Sequence, residues 1–396
     1  MDNNFRLSLS MLVSRYTDQF EQCLTSIQPF FDAFPTEFIV VDTGAPKEAI
    51  NLAKKYATQI VSFAWCDDFS KARNAGLRLC SGDWFLFLDD DEYFDDVTEI
   101  IDFLKSPDAD NYTSLSYCVH DYLSYDKPAY CSGRVTRMVK RTDDLRFIHR
   151  IHECFDPEPL LHLEKRTSVF THHYGYAAKT PQELHAHSRR NLPLLIEECR
   201  QSPGDYRLEV LLANEYALLN QPDQAHETLL PWVQKLLHHE LPQMEYMHAW
   251  TLETYFEALF SIRSFHEMQD TALALLNAED LGFVCKWVLA YYGGIASALL
   301  GQYPLAADTF RIFFLINDYM TEHPEDQWME NKYQYNPDYV GNQVDLANKF
   351  MCVISYNNQN YEQTRCFLSK VNFETEDAFG MNDTCKQIAN FLATLP

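Results

Sequence analysis

The stretch WFLFLDDDE, residues 84–92, is the part of the sequence that decides the fold. Its first five residues are apolar and its last four are acidic, and Gly82 and Asp83 precede it. A short apolar run after a turn signal predicts a central strand that is buried on both faces. The acids then fall at the carboxyl end of that strand, the edge where open α/β sheets bind ligands. A helix N-terminus is the alternative, because Asp90, Asp91 and Glu92 would also favour the positive end of a helix dipole.

A series of strands and helices leads into this stretch. Residues 7–13 are rich in strand-forming residues, and residues 18–34 carry apolar side chains at helical spacing. Residues 37–41 form a second apolar run that ends in Asp42, and a helical pattern follows over 47–56. This βαβ order predicts a parallel sheet with right-handed crossovers. Asp42 then lies at the same carboxyl edge as the acids, where it either closes a turn with the next glycine or contacts a ligand.

The segment SKARNAGLRL, residues 70–79, predicts a short helix that leads directly into the central strand. Ser70 suits the N-cap position. Lys71, Arg73 and Asn74 lie in the first half of this helix, and such side chains can hold a diphosphate or orient the acids. The alternative is a solvated helix face whose charges bind no ligand.

The composition restricts the classes of partner. The chain has 396 residues, 46% of them hydrophobic, and a formal net charge of -25. This length predicts two or more domains with ample material for their cores. An acidic surface repels phosphates and anionic lipid headgroups, so we expect no nucleic-acid partner.

The cysteines and the first residues indicate the compartment. The sequence has 11 cysteines and no CxxC pair, so it indicates neither a disulfide framework nor a zinc site. Residues 1–6 lack the basic and apolar regions of a signal peptide, and no window reaches the length of a membrane-spanning helix. We therefore expect a cytoplasmic protein with no integral membrane contact, and a homo-oligomer is compatible with the sequence.

Three motifs together resemble those of the family-2 inverting glycosyltransferases, which have a GT-A fold. They are VVDTG at 40–44, DFSKARN at 68–74 and LDDDE at 88–92. The resemblance implies that Asp91 binds a divalent cation carrying the diphosphate of a nucleotide sugar, with Asp89 on the ribose or the metal. Asp90 stands at the variable position of the family motif. The expected cation is Mg²⁺ or Mn²⁺, because the ligands are oxygen-rich with at most one imidazole.

The same resemblance assigns roles to further residues. It implies a nucleotide-diphosphate sugar as donor, with a UDP-sugar expected, and a set of contacts in the first half of the chain. The predicted nucleotide-sugar contacts are Val13, Ser14, Asp42, Lys71, Arg73, Asn74, Asp89 and Arg137; the predicted metal ligands are Asp91, His173 and Asp89; Asp68 and Glu92 are supporting residues. Two loops depart from the family pattern: Arg15 and Tyr16 replace a common Asn-Glu pair, and residues 44–47 replace Gly-Ser-Thr-Asp.

Two histidine motifs lie in the predicted acceptor half of this domain. Residues 111–126 alternate in a way that predicts two strands, and a basic run follows over 133–141. Residues 151–153, IHE, and 171–176, THHYGY, resemble elements of the same family in the same order. Each histidine could equally be an ordinary core or surface residue. For the base that removes the acceptor proton we predict Glu153, with His152 as the alternative.

The sequence changes character after residue 180. Nine helical patterns follow, joined by short turns at a spacing of about forty residues, as in degenerate tetratricopeptide (TPR) repeats. We therefore predict an α/β GT-A domain with a Rossmann-like mixed sheet over 1–180, divided into a nucleotide-sugar half (1–105) and an acceptor half (106–180). An all-α TPR-like domain is predicted over 181–396. Arrays of this kind can hold an extended peptide in a concave groove.

These patterns predict a metal-dependent inverting glycosyltransferase. The helical domain makes the chain similar to peptide glycosyltransferases that modify bacteriocin precursors, so the expected acceptor is a Cys or Ser side chain of a peptide or protein. The first alternative is an enzyme of surface-polysaccharide or lipid-core assembly. An alternative from another class is an inactive glycosyltransferase-like scaffold that binds a partner through its repeats. Nucleotidyl transfer would call for a glycine-rich phosphate loop, which the sequence does not contain.

Overall fold

The computed structural model describes residues 5–122, 130–175, 177, 185–242, 244–323, 337–375 and 379–394, and a mixed sheet occupies the first part of the chain. The strands are β1 (Leu7–Val13), β2 (Thr36–Asp42), β3 (Gln59–Ser62), β4 (Trp84–Leu88), β5 (Glu92–Phe94), β6 (Ser114–Tyr122), β7 (Tyr130–Lys140), β8 (Arg146–Ile148), β9 (Cys154–Asp156) and β10 (Glu164–His173). Eight strands form one sheet in the order β3-β2-β1-β4-β7-β6-β10-β5, and β8 pairs with β9 in a small separate sheet.

Strand β4 is the predicted central strand, and all five of its side chains are buried. It pairs in parallel with β1 and antiparallel with β7, so other strands flank it on both sides. Strands β3, β2, β1 and β4 are all parallel, which confirms the βαβ series. In their register Val13 lies beside Asp42, and Met11 beside Leu88. The ends of β1, β2 and β4 therefore meet at one edge of the sheet.

Six helices of the described chain accompany these strands. They are α1 (Phe20–Ser26), α2 (Gln28–Ala33), α3 (Lys47–Ala53), α4 (Phe69–Leu77), α5 (Thr98–Lys105) and α6 (Ala186–Gln201). The single helix predicted over 18–34 is wrong in one respect: α2 begins anew at Gln28 with a proline in its first turn. Pro29 cannot donate to the preceding turn, so a helix begins there more readily than it continues.

Helix α4 is held tightly against the parallel strands. Its N-cap is Asp68 and not Ser70, because Asp68 Oδ1 accepts from the Lys71 amide at 3.0 Å and from the Ser70 hydroxyl at 2.7 Å. A Cβ added to Gly76 would lie 2.9 Å from Val41 Cγ2. Only glycine therefore allows α4 to approach β2 this closely.

The acids after β4 do not begin a helix. Asp89, Asp90 and Asp91 form the turn between β4 and β5, and Glu92 opens β5. The helix N-terminus considered for this stretch is therefore wrong. Of the two strands predicted over 111–126, the described residues hold β6, and residues 123–126 lie outside the described part of the chain. Strand β6 pairs antiparallel with β7, which contains residues 133–140 of the basic run.

The second part of the chain is all helical within the described residues. Its helices are α7 (Tyr206–Leu218), α8 (Pro222–Leu237), α9 (Glu245–Ser261), α10 (Phe265–Leu276), α11 (Phe283–Leu299), α12 (Tyr303–Glu322), α13 (Pro337–Asn357), α14 (Tyr361–Leu368) and α15 (Met381–Ala393). Large buried side chains such as Trp287, Phe310 and Tyr255 fill its core. Helix α15 was not predicted, although Cys385, Ile388 and Leu392 form a buried stripe at helical spacing.

The predicted architecture, an α/β mixed-sheet domain followed by helices, is confirmed. Contacts divide the chain into two units, Met1–Pro203 and Gly204–Pro396, with α6 in the first. The limits 1–180 and 181–396 and the TPR-like register stay predictions. No helix among the residues described is both long and apolar enough to cross a membrane.

Candidate active site

Asp89 lies between two arginines at the end of β4. Its Oδ1 is 2.5 Å from Arg73 Nη2, and its Oδ2 is 3.0 Å from Arg137 Nη2. Both guanidinium groups also lie over the ring of Phe87, at 4.4 and 4.5 Å from its centroid. Such cation–π contacts contribute about 0.5–2 kcal/mol each. Burial alone would raise the pKa of Asp89, but the two arginines outweigh burial and hold that pKa well below its ordinary value.

Arg73 joins this carboxylate to a second one. Its Nε donates to Glu153 Oε1 at 2.6 Å, while its Nη2 contacts Asp89. Arg73 is on α4 and Glu153 lies in the hairpin between β8 and β9. A buried guanidinium with two carboxylate partners is fixed in orientation, since each N–H donor has one direction. The predicted base and the predicted ribose contact are therefore brought to the same group.

Asp91 faces a histidine that is itself held by another acid. His173 Nε2 is 3.4 Å from Asp91 Oδ1, and His173 Nδ1 is 2.5 Å from Asp121 Oδ1. Burial would lower the pKa of His173, but the hydrogen bonds to Asp121 and Asp91 raise it well above its ordinary value. A carboxylate on one ring nitrogen that leaves the other aimed at a site is the usual support of a metal-binding histidine.

A glycine keeps space open beside these two groups. A Cβ on Gly175 would lie 2.5 Å from His173 Nε2 and 3.0 Å from Asp91 Oδ2. Any other residue at position 175 would therefore press on both groups. No cluster of three or more His, Cys, Asp or Glu side chains suited to a metal occurs in the described ranges.

Asp90 and Arg15 connect this turn to the end of β1. Asp90 is buried, and its Oδ2 accepts from the Ser14 amide at 3.1 Å. Arg15 forms an ion pair with Asp91 and approaches Asp90 with its Nε at 3.8 Å. Burial and the neighbouring Asp91 raise the pKa of Asp90 to about 7, against the opposing effects of Ser14 and Arg15. The middle acid of the motif therefore has specific contacts here, although the family motif varies at this position.

Glu92 is fully buried behind the turn. Its Oε1 accepts from Thr171 Oγ1 at 2.7 Å and from the Tyr117 hydroxyl at 3.2 Å. Its Oε2 lies 3.4 Å from Arg137 Nη2. Burial raises the pKa of Glu92 although Arg137 opposes the shift. These contacts link β5, β6, β7 and β10 and fit the supporting role expected of Glu92.

The other predicted residues lie around this cluster rather than in it. Asp42 Oδ1 accepts from the amides of Gly44 and Ala45 at 3.0 and 2.9 Å, so this acid does close its own turn. The carbonyl oxygen of Val13 accepts from the Thr43 amide at 3.0 Å. Lys71 is exposed, with Nζ 3.0 Å from Asp68 Oδ2.

Asn74 joins helix α4 to strand β8. Its Nδ2 donates to the Phe147 carbonyl at 2.8 Å, and its Oδ1 accepts from the Phe147 amide at 2.9 Å. The side-chain amide thereby pairs with the backbone as a strand neighbour would. Asn74 holds the hairpin that carries His152 and Glu153 against α4, and His152 itself has a positive φ of 51°.

Sequence reasoning missed two residues of this site. Asp121 carried no motif signal, because its meeting with His173 follows from the parallel pairing of β6 with β10, in which the two are register partners. The sequence identified Arg15 only as a departure from the family pattern. The structure shows that Arg15 forms an ion pair with Asp91.

Comparison with protein families identifies the class. Residues 17–156 match the family model described as Glycosyl transferase family 2. This segment holds Arg73, Asp89, Asp91, Arg137 and Glu153, together with the turn and hairpin that carry the acids. This part of the chain therefore matches a family-2 glycosyltransferase domain, which confirms the resemblance predicted from its motifs.

Two curated proteins are similar to the chain over part of their length. A TPR repeat-containing protein of Synechococcus elongatus is 29% identical over 188 residues, 45% of this chain and 44% of that protein. The SPbeta prophage-derived glycosyltransferase SunS of Bacillus subtilis is 23% identical over 241 residues, 56% of this chain and 52% of that protein. The chain thus spans about half the length of the curated relatives it matches.

Solved structures are similar only at a low level. S. aureus TarS 1-349 in complex with UDP-GlcNAc has 13% identity, covering 79% of this chain and 92% of that chain, with a TM-score of 0.31. Glucosyl-3-phosphoglycerate synthase from Mycobacterium tuberculosis in complex with Mn²⁺, UDP and phosphoglyceric acid has 19% identity, covering 29% of this chain and 43% of that chain, with a TM-score of 0.25. At these TM-scores neither similarity carries weight for the function.

Proposed function

We propose that this protein transfers a sugar from a nucleotide diphosphate sugar to an acceptor, in one displacement that inverts the anomeric carbon. The observation that carries the proposal is the shared contact of Arg73 with Asp89 and Glu153, beside the Asp91–His173 pair. Arg73 joins Asp89, which can accept a hydrogen bond from a ribose hydroxyl, to Glu153, which can take a proton from the acceptor. Sugar transfer needs one group that positions the donor and another that takes the proton of the acceptor.

The residues near Asp91 fit a divalent cation. They offer one carboxylate and one imidazole, and the imidazole is oriented by Asp121. The missing side chain at Gly175 leaves room beside both donors. Mg²⁺ or Mn²⁺ suits such a pair, with the diphosphate supplying further oxygens. When bound, the cation would supply Lewis-acid stabilisation of the charge that grows on the departing diphosphate.

Asp89 is better suited to positioning the donor than to binding the metal. Both of its oxygens already contact arginines, Arg73 on one side and Arg137 on the other. A carboxylate held in this way keeps a fixed direction and its negative charge, so it can accept a hydrogen bond from a ribose hydroxyl. Arg15 neutralises Asp91 in this structure, and a cation on Asp91 would have to share or displace that contact.

Glu153 is the proposed base. Its Oε1 is held by Arg73, and its side chain is partly exposed, so an acceptor hydroxyl or thiol can reach it. A positioned base of this kind contributes roughly 10²- to 10⁴-fold to the rate. His152 adjoins it in the same hairpin and remains the alternative.

For the acceptor we propose a Cys or Ser side chain of a peptide. The all-helical unit supports this choice, because helical-repeat arrays bind extended peptides, and one similar protein is named for TPR repeats. A saccharide is the second candidate, as in surface-polysaccharide or lipid-core assembly. It is favoured by stacked rings near His173: Tyr122 lies 4.6 Å from Tyr174, and Tyr93 lies 4.8 Å from His172.

A thermal-shift screen tests the donor part of the proposal. Purified protein is heated with UDP-, GDP- and TDP-sugars, each with and without Mn²⁺. A ligand present at about 100 times its Kd adds about 2.7 kcal/mol of stability, so the correct donor should raise the midpoint by several degrees. A shift that needs Mn²⁺ supports the enzyme; no shift with any nucleotide sugar would favour the scaffold.

Asp121 is expected to control metal affinity without touching the metal. Asp121→Asn weakens the hold on His173 Nδ1, and the loss of such a supporting carboxylate costs about 10- to 100-fold in metal affinity. Mn²⁺ binding is measured by titration calorimetry or by the signal of free Mn²⁺ in electron paramagnetic resonance. Asp143→Asn, which changes an exposed carboxylate, is the control and should bind as the unchanged protein does. Equal Mn²⁺ affinity for Asp121→Asn would remove Asp121 from this role.

A further inference from the structure

A second cluster of reactive side chains lies at the base of the β8–β9 hairpin. His149 follows β8 and Cys154 opens β9, directly opposite Ile148 in the antiparallel register. The His149 imidazole hydrogen-bonds the Cys154 thiol. It also contacts Glu198 of α6, with 3.0 Å between Nδ1 and Oε1. A thiol, an imidazole and a carboxylate therefore follow one another in a chain of contacts.

Glu198 is held in place by a further residue. It is buried, and its Oε2 lies 3.2 Å from Arg150 Nε and 3.3 Å from the Arg150 amide. Glu198 orients the imidazole of His149, whose backbone has a positive φ of 67°, a conformation that is uncommon for residues other than glycine. The hydrogen bonds to Cys154 and Glu198, acting against burial, raise the pKa of His149 to about 9. At neutral pH the imidazole is therefore charged.

The role of these groups differs from that of the sugar-transfer site. His149 and Arg150 hold Glu198, whereas Arg73 holds Asp89 and Glu153. A cysteine beside an imidazolium is a thiolate at lower pH than a free cysteine, and the thiolate is the nucleophilic form. Cys154 is partly exposed.

We propose that Cys154, His149 and Glu198 form a thiol-modification site, at which Cys154 is the nucleophile toward hydroperoxides. The thiolate attacks one peroxide oxygen, an S–O bond forms and the O–O bond breaks. The sulfur is oxidised by two electrons to a sulfenic acid, and the peroxide is reduced. The departing oxygen leaves as water or an alcohol and takes the proton from His149. A thiol reductant then attacks the sulfenic sulfur, which releases the oxygen as water and forms a mixed disulfide, and a second thiol frees the Cys154 thiolate and leaves as the disulfide of the reductant.

Alkylation tests the nucleophile directly. The full-length protein is treated with iodoacetamide at pH 6.0 and pH 8.0, and the rate at each cysteine is followed by peptide mass spectrometry. An ordinary thiol with a pKa near 8.5 should react about 80-fold more slowly at pH 6.0, in proportion to its thiolate fraction. Cys154 is expected to slow by less than about threefold, whereas the exposed Cys66 and Cys366 serve as comparisons.

Variants test the partners. His149→Gln and Glu198→Gln should give Cys154 a pH dependence close to that of Cys366, while His162→Gln, which changes an exposed histidine, should not. Circular dichroism and Tm identify a variant that fails to fold, and the second variant then carries the test. A Cys154 rate that falls with pH as Cys366 does, or that is unaffected by both partner variants, overturns the proposal.

The peroxide step is measured separately. The protein is treated with hydrogen peroxide and then with iodoacetamide, with and without dithiothreitol in between. Cys154 should lose its label before Cys366 does and should regain it after dithiothreitol. Loss at the same rate as Cys366 contradicts the proposed site. None of these readouts depends on sugar transfer.

Discussion

Asp91→Asn is expected to remove Mn²⁺ binding and to lower metal-stimulated sugar transfer by about 10²- to 10³-fold. The carboxylate is one of only two proposed protein donors, and an amide oxygen carries no charge for the cation. Lewis-acid assistance is worth several kcal/mol of barrier, and each 1.36 kcal/mol is a factor of ten in rate. The measurement is transfer by chelated protein to which Mn²⁺ is returned stepwise, together with Mn²⁺ titration.

The asparagine variant suits this test because it keeps the size of the side chain. Asp91 is buried, so Asp91→Ala would also leave a cavity and unbalance Arg15 and His173. Asp143→Asn is again the matched exposed control. Full transfer by Asp91→Asn after chelation and Mn²⁺ replenishment would show that the metal is bound elsewhere or is not needed.

Glu153→Gln is expected to lower kcat by roughly 10²- to 10⁴-fold, while donor binding stays within about threefold. Glutamine still offers an oxygen to Arg73, so the contact that holds the hairpin persists, but it cannot accept the acceptor proton. The measurements are kcat against pH and the Kd of the nucleotide sugar. Loss of kcat with unchanged donor affinity separates a catalytic role from a structural one.

The neighbouring histidine supplies the contrast. If Glu153 is the base, His152→Ala retains the pH dependence of kcat, and Glu158→Gln, an exposed glutamate of the same region, retains full activity. If instead His152→Ala lowers kcat and changes its pH dependence while Glu153→Gln remains fully active, the base is His152. Full activity in both variants would mean that neither group removes the proton.

Local sequence was enough to predict most helices and strands and part of the candidate active site. The WFLFL run predicts a buried central strand because it has no polar alternation, and the structure places it between β1 and β7. Acids directly after such a strand must lie at its carboxyl end. The helical periods of the second half likewise predict helices, since an apolar stripe at a 3.6-residue period needs no distant partner to be recognised.

Elements that depend on a single side chain or on weak periodicity were predicted less well. Pro29 divides the helix predicted over 18–34, and Asp68 replaces Ser70 as the cap of α4. The missing N–H of Pro29 ends the first helix, whereas hydrogen-bond geometry selects Asp68 over Ser70 as the cap. Helix α15 shows the same limit, because its apolar stripe was present but short.

What this sequence determined by itself is the order of strands and helices and the presence of acids, arginines and a histidine in the motifs of one family. What only the tertiary structure decided is which of these side chains meet. Asp121 supports His173 across 52 residues, and Arg73 reaches Asp89 across 16 residues and Glu153 across 80. Such contacts arise from the register between strands that are distant in the chain, and no local period encodes that register.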